Sequence, residues 1–174
     1  MSEAVEFYTN PMSRGQTVRW MRALCERGLK VATAESCTGG LLASLLTDIE
    51  GCGHGFDRGF VTYFKEAKAE LLGIERSLLD QNDAVSEAVA RAMAEGALKR
   101  SGADIAISVT GFAGPAGDGK EEGLVHFALA TPAASRHRVE HFGARGRGPI
   151  RIAALRVMLE MLDQALHSLE GNGQ

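Results

Sequence analysis

Cysteine is scarce in this chain, and its scarcity narrows the fold at once. The 174 residues include three cysteines, Cys25, Cys37 and Cys52, an odd number without a C-x-x-C pair. That argues against a disulfide framework and against a four-ligand zinc site. A reducing cytoplasm is the expected location. An excess of charge of one sign is also missing. The formal net charge is −3 with both signs interspersed, which offers no chain-wide attraction for polyphosphate, so nucleic acid is not an expected partner. No apolar run approaches the roughly 18–20 residues that cross a bilayer, and the start lacks a basic-plus-apolar signal pattern, so no membrane partner is expected either. Internal repeats and low-complexity tracts are absent.

What is present reads as one folded domain. Hydrophobic residues make up 45% and charged residues 24%, as in soluble globular proteins, and the length suits a single core. Helical spacing runs from Val18 to Cys25 and stops at Gly28. Lys30–Ala34 reads as a strand, Thr38-Gly39-Gly40 as a turn, and Leu41–Leu46 as the start of a helix. A strand is expected over Gly59–Tyr63, helices over Lys65–Leu72 and Ser86–Arg100 with Ser86 as N-cap, and a buried strand over Ile105–Val109. Two further strands, Leu124–Ala130 and Arg138–Phe142, imply an antiparallel pairing. The stripe Ile152, Leu155, Leu159, Leu162, Leu166 and Leu169 marks a last amphipathic helix, packed on the sheet or on a partner chain. Homo-oligomers therefore stay open. The expectation is an α/β domain over 18–170, with an N-terminal extension at 1–17 and a disordered tail at 171–174.

The usual signatures of catalysis are missing too. No histidine sits in a serine-hydrolase context such as G-x-S-x-G. Tyr63 and Lys68 are separated by four residues rather than three, and no G-x-G-x-x-G follows a first strand, which excludes short-chain dehydrogenases. Gly114-Pro115-Ala116-Gly117-Asp118-Gly119-Lys120-Glu121 nearly matches a P-loop, but Glu121 replaces the hydroxyl residue and a strand follows. Ser36 remains, between a strand and a helix, where backbone N–H groups of Cys37 or Thr38 can receive an oxyanion and Gly39 and Gly40 allow close approach. On spacing alone Ser36 or Thr38 also reads as a simple helix cap. A serine needs a base, and lysine serves when burial lowers its pKa. Lys68 and Tyr63 fall at the same expected sheet edge as Ser36, although each also reads as an ordinary solvated charge or packed aromatic. Thr110-Gly111 ends a strand and is either a ligand loop or a tight turn. Arg145, Arg147 and Arg151 form either an anion site or a solvated turn.

Taken in order, Thr33-Ala34-Glu35-Ser36-Cys37-Thr38-Gly39-Gly40, Asp57–Tyr63, Glu66-Ala67-Lys68, Leu72-Gly73, Ala84-Val85-Ser86 and Val109–Pro115 resemble the CinA C-terminal family over roughly Gly28–Leu169. The resemblance implies a three-layer α/β/α sandwich on a mixed, mostly parallel sheet of about five strands. It also implies hydrolysis of the carboxamide of nicotinamide mononucleotide, with no cofactor and no metal. It makes Ser36 the nucleophile, Lys68 the general base and Tyr63 a member of the proton network. Cys37, Thr38, Gly39, Gly40, Thr110, Gly111 and Arg147 then fall on the substrate side. The chain departs from the family pattern at Phe64-Lys65, at the shorter loop 117–123, and at Arg145-Gly146-Arg147. A nucleotide-binding module without turnover and an amidase for another small amide are the alternatives. Separately, Phe7–Gly15, running on to Arg19-Trp20-Met21, resembles the first strand and turn of glutathione S-transferases over about 16 residues, too few for such a domain.

Overall fold

Alternation of large and small side chains along the strands organises the whole molecule. A computed structural model describes residues 11–117 and 119–171. Its elements are α1 (Pro11–Glu26), β1 (Val31–Glu35), α2 (Leu41–Thr47), β2 (Phe56–Val61), α3 (Lys65–Leu72), α4 (Arg76–Asn82), α5 (Glu87–Lys99), β3 (Ile105–Gly111), β4 (Leu124–Ala130), β5 (Ser135–His141) and α6 (Arg147–Gly171). The five strands form one sheet in the order β2-β1-β3-β4-β5. β1 pairs in parallel with β2 and β3, whereas β4 is antiparallel to both β3 and β5. Four strands thus share one direction and β4 opposes them, which is the expected mixed sheet.

Successive residues of a strand face opposite ways. Val31, Ile105, Ile107, Val109, Val125, Phe127 and Leu129 lie on one face, in a core shared with α1, α2 and α6. On the other face the sheet presents Ala32, Ala34, Ala106, Ala128 and Ala130 to the α3–α5 layer. Small residues there let α5 approach closely. Its own Ala90, Ala94, Ala97 and Gly96 do the same from the helix side. Three layers follow from this pattern, as expected.

Several boundaries differ from the sequence reading. α1 runs without a break from Pro11, ahead of Val18, so the helix crosses the expected boundary at residue 17. Residues 1–10 of the extension, with most of its transferase-like stretch, and residues 172–174 of the tail lie outside the described residues. β2 lies earlier than expected because Val31 and Ala32 of β1 pair with Phe56 and Arg58 across a bulge. Tyr63 falls beyond its end. α4 was not expected, since it carries only the adjacent Leu78 and Leu79 and so shows no period. Ser86 caps α5 as expected, accepting from the Val89 N–H at 3.2 Å. Ile152, Leu155, Leu159, Leu162 and Leu166 of the α6 stripe are buried within this chain's own core.

α3 carries Lys68, and its placement depends on Gly96. A Cβ on Gly96 would lie 2.4 Å from the Leu72 carbonyl oxygen and 3.0 Å from the Leu72 Cβ. Gly→Ala in a free helix gains about 1 kcal/mol. Here Gly96→Ala is expected to destabilise by about 1–3 kcal/mol through overpacking, read as a lowered urea midpoint; an unchanged midpoint would contradict this contact.

Candidate active site

The turn after β1 is clamped from several sides. Ser36 donates its backbone N–H to the Val109 carbonyl at 3.1 Å, and Thr62 donates to the Glu35 carbonyl at 2.8 Å. Gly39 closes the turn on the Ser36 carbonyl at 3.1 Å. Arg151, from the second turn of α6, donates through Nη2 to the Thr38 carbonyl. Ser36 is therefore held at the ends of β1 and β3, the site where parallel strands present ligands.

The helix N-terminus behind it is already occupied. α2 starts at Leu41, and its N-cap is Gly40, which has no side chain to offer. Glu35 supplies the cap instead. Its carboxylate accepts from the N–H groups of Gly40 at 3.1 Å, Leu42 at 3.2 Å and Ala43 at 2.8 Å, and from the Thr38 hydroxyl at 2.7 Å. An anion at a helix N-terminus is favourable, and here it comes from the protein. Thr38 is fully buried with its hydroxyl on Glu35. Gly39 and Gly40 have φ of 64° and 93°, the left-handed region that glycine tolerates, and so shape the turn. Among the described residues, no backbone acceptor is bonded to the N–H of Thr38.

Lys68 lies behind Ser36 with no exposed surface. Its Nζ donates to the Ser36 Oγ at 3.1 Å, the Thr62 carbonyl at 2.7 Å and the Tyr63 carbonyl at 3.4 Å. Burial pushes its pKa down to about 8, against an opposing pull from Cys37. Among the described residues no carboxylate pairs with it. Cys37, next to the serine, has the reverse problem, because burial pushes its thiol up to about 12. The thiol therefore stays protonated near neutral pH.

Ser36 opens into a cleft of about 270 Å³ lined by Cys37, Tyr63, Ala84-Val85, Thr110–Pro115 and Arg147. The expected residues Tyr63, Thr110, Gly111 and Arg147 line it with Ser36 and Cys37. The Tyr63 side chain is 56% exposed at the rim, packed edge-on against Phe64. Its carbonyl, not its hydroxyl, meets Lys68. The Thr110 hydroxyl donates to the Ala84 carbonyl at 2.7 Å, tying two cleft walls together. Gly111 is required by sheet packing, since a Cβ would lie 2.7 Å from the Leu124 carbonyl and from Val125 Cγ2. Arg147 is exposed on the opposite wall beside Gly114. None of the described histidines lines the cleft. His126 and His137 bond each other at 3.0 Å under α5, both lowered in pKa first by burial. Among the described residues no cluster of His, Cys, Asp or Glu is arranged to hold a metal ion, and no helix is long and apolar enough to cross a membrane.

The sequence reading missed Glu35 and Arg151 as the supports of the turn. Gly40 was the available signal, because a helix whose N-cap lacks an oxygen must find an acceptor elsewhere.

In this mixed α/β/α domain a serine and a buried lysine are in hydrogen-bond contact at the strand ends. Residues 16–166 match the family described as the CinA C-terminal domain, and the chain belongs to that family. It is 53% identical over 112 residues to the nicotinamide-nucleotide amidohydrolase PncC of Escherichia coli K12, a match covering 63% of this chain and 68% of that protein. A competence-damage inducible protein of Caldicellulosiruptor saccharolyticus is 45% identical over 148 residues, 82% of this chain. The chain spans only 22–35% of the length of that relative and several others of its kind. Among solved structures, the competence/damage inducible protein of Agrobacterium tumefaciens superposes with a TM-score of 0.84 at 44% identity, covering 88% of this chain and 94% of that one.

Replacing the Glu35 carboxylate with an amide turns an NH2 group toward N–H donors. Glu35→Gln is expected to cost about 2 kcal/mol or more, seen as a lower chemical-denaturation midpoint. Unchanged stability would show that the cap is dispensable.

Proposed function

We propose that the chain is an amidohydrolase that converts nicotinamide mononucleotide to nicotinate mononucleotide and ammonia. The observation that carries the reading is the 3.1 Å contact between Lys68 Nζ and Ser36 Oγ at the floor of the cleft. The name of the Escherichia coli relative supplies the substrate, and the cleft is of a size to take a pyridine ring.

In the proposed reaction, neutral Lys68 takes the Ser36 proton as Oγ attacks the carboxamide carbon. Backbone N–H groups of the turn after Ser36 receive the developing oxyanion. The C–N bond breaks as the Lys68 ammonium returns that proton to the departing nitrogen, releasing ammonia and leaving an ester on Ser36. Lys68 then deprotonates a water, which attacks the ester. The serine is restored and the acid is released. Arg147 on the far wall binds the phosphate of the nucleotide, and Tyr63 closes the rim over the ring. Thr62 and Tyr63 carbonyls aim the lysine at the serine.

Only neutral lysine accepts the proton. With a pKa near 8, kcat/KM is expected to rise with pH through about 8 and to level off above it. A profile already flat from pH 6 to 9 would exclude Lys68 as the base. Ammonia release is expected to fall by a factor of about 10³ or more in Ser36→Ala and in Lys68→Ala. Full activity in Ser36→Ala, or no ammonia from the unmodified protein, would overturn the proposal.

A further inference from the structure

Asp83 is the one described residue other than glycine with a positive φ. At φ 56°, ψ 176° it occupies a backbone region almost reserved for glycine. Such a position needs a side-chain contact that compensates. The Asp83 carboxylate meets three groups. Its Oδ1 accepts from the Ala84 N–H at 2.7 Å and lies 3.9 Å from Lys65 Nζ, and its Oδ2 lies 2.8 Å from Lys120 Nζ. Lys120 hydrogen-bonding and the Ala84 N–H hold the Asp83 carboxyl below the usual carboxylate range. Lys120 Nζ also lies 5.2 Å from the centroid of the Phe112 ring, within cation–π range.

These contacts join three segments that border the cleft. Asp83 precedes Ala84-Val85, one wall, and Lys120 follows Phe112–Pro115, the facing wall. Lys65 opens α3, two residues after Tyr63 at the rim. Phe112 is anchored at its base, donating to Leu124 at 2.9 Å and accepting from Gly123 at 2.8 Å. Among the described residues no backbone hydrogen bond ties 113–116 to the rest of the chain. Thr110 Oγ1 on the Ala84 carbonyl ties the walls at the end of β3, and Lys120 on Asp83 is a second polar link beyond the 113–116 stretch. Ser36 and Lys68 are placed independently, by β1, β3 and α3.

We propose that Asp83 is a positioning residue whose carboxylate, shared between Lys65 and Lys120, holds the 112–117 wall against Ala84-Val85 and so sets substrate affinity without touching the chemistry. The kinetic half of this proposal rests on the amidohydrolase reading; the structural half does not.

The test uses Asp83→Gly, which suits the backbone, and Asp83→Asn, which keeps a side chain but removes the charge. Both are expected to raise KM for nicotinamide mononucleotide about fivefold, from two partly exposed ion pairs, with kcat within about twofold. Lys120→Met is expected to match them, and Asp83→Gly/Lys120→Met to add nothing further. In parallel, amide exchange at Phe112 and Gly123, measured without substrate, is expected to quicken in all variants. Unchanged KM and exchange, additive effects, or a fall in kcat at constant KM would overturn the strap. If the unmodified protein releases no ammonia, the amidohydrolase reading fails, and the exchange rates alone decide the strap: faster exchange supports it and equal exchange refutes it.

Discussion

A lysine without solvent and, among the described residues, without a counter-charge is the constraint around which this domain is arranged. The gap between the free-lysine value of 10.5 and about 8 corresponds to roughly 3 kcal/mol against the charged form. Because the folded value is lowered, that penalty is full below pH 8 and fades as pH rises from there toward 10.5. The fold accepts it through the two carbonyls and the serine hydroxyl that receive Lys68 Nζ. An apolar side chain at that place on α3 would pack without this penalty. A buried, desolvated amine beside a hydroxyl is the feature on which the proposed base role of Lys68 rests.

The supports of this pair come from opposite faces of the sheet. Odd-numbered β1 residues face the α1, α2 and α6 layer, which is where Glu35 reaches the start of α2. The alanine face receives α5, which in turn seats α3 through Gly96 and Leu72. Ser36 lies at the junction, bonded through its backbone to β3 and through its hydroxyl to α3. The serine is thus the meeting point of both layers, and neither helix layer alone would place it.

Much of this was legible in the sequence, for identifiable reasons. Strands β1, β3 and β4 are short apolar runs bounded by turns, and α6 has a long unbroken period, so their type followed from pattern. Ser36 and Lys68 were legible only together with the surrounding motifs, since each alone reads as a cap or a surface charge. Other features depended on contacts that local sequence does not encode. The cap of α2 comes from Glu35, six residues before the helix, and the glycines at 39 and 40 carry the left-handed backbone of the turn between them. Gly111 answers to β4 packing. Tyr63 was expected to offer its hydroxyl to the proton network, but the chain leaves β2 at Val61 and turns so that its carbonyl meets the lysine. Asp83 gave no local signal, because its partners Lys65 and Lys120 lie 18 and 37 residues away along the chain.

The most direct measurement is an NMR titration of the Lys68 side chain in the folded, ligand-free protein, followed at Nζ and Cε and assigned by comparison with Lys68→Met. The account predicts a midpoint of about 8 that moves when Ser36 is replaced by alanine. A midpoint at the free-lysine value near 10.5, insensitive to that replacement, would contradict it.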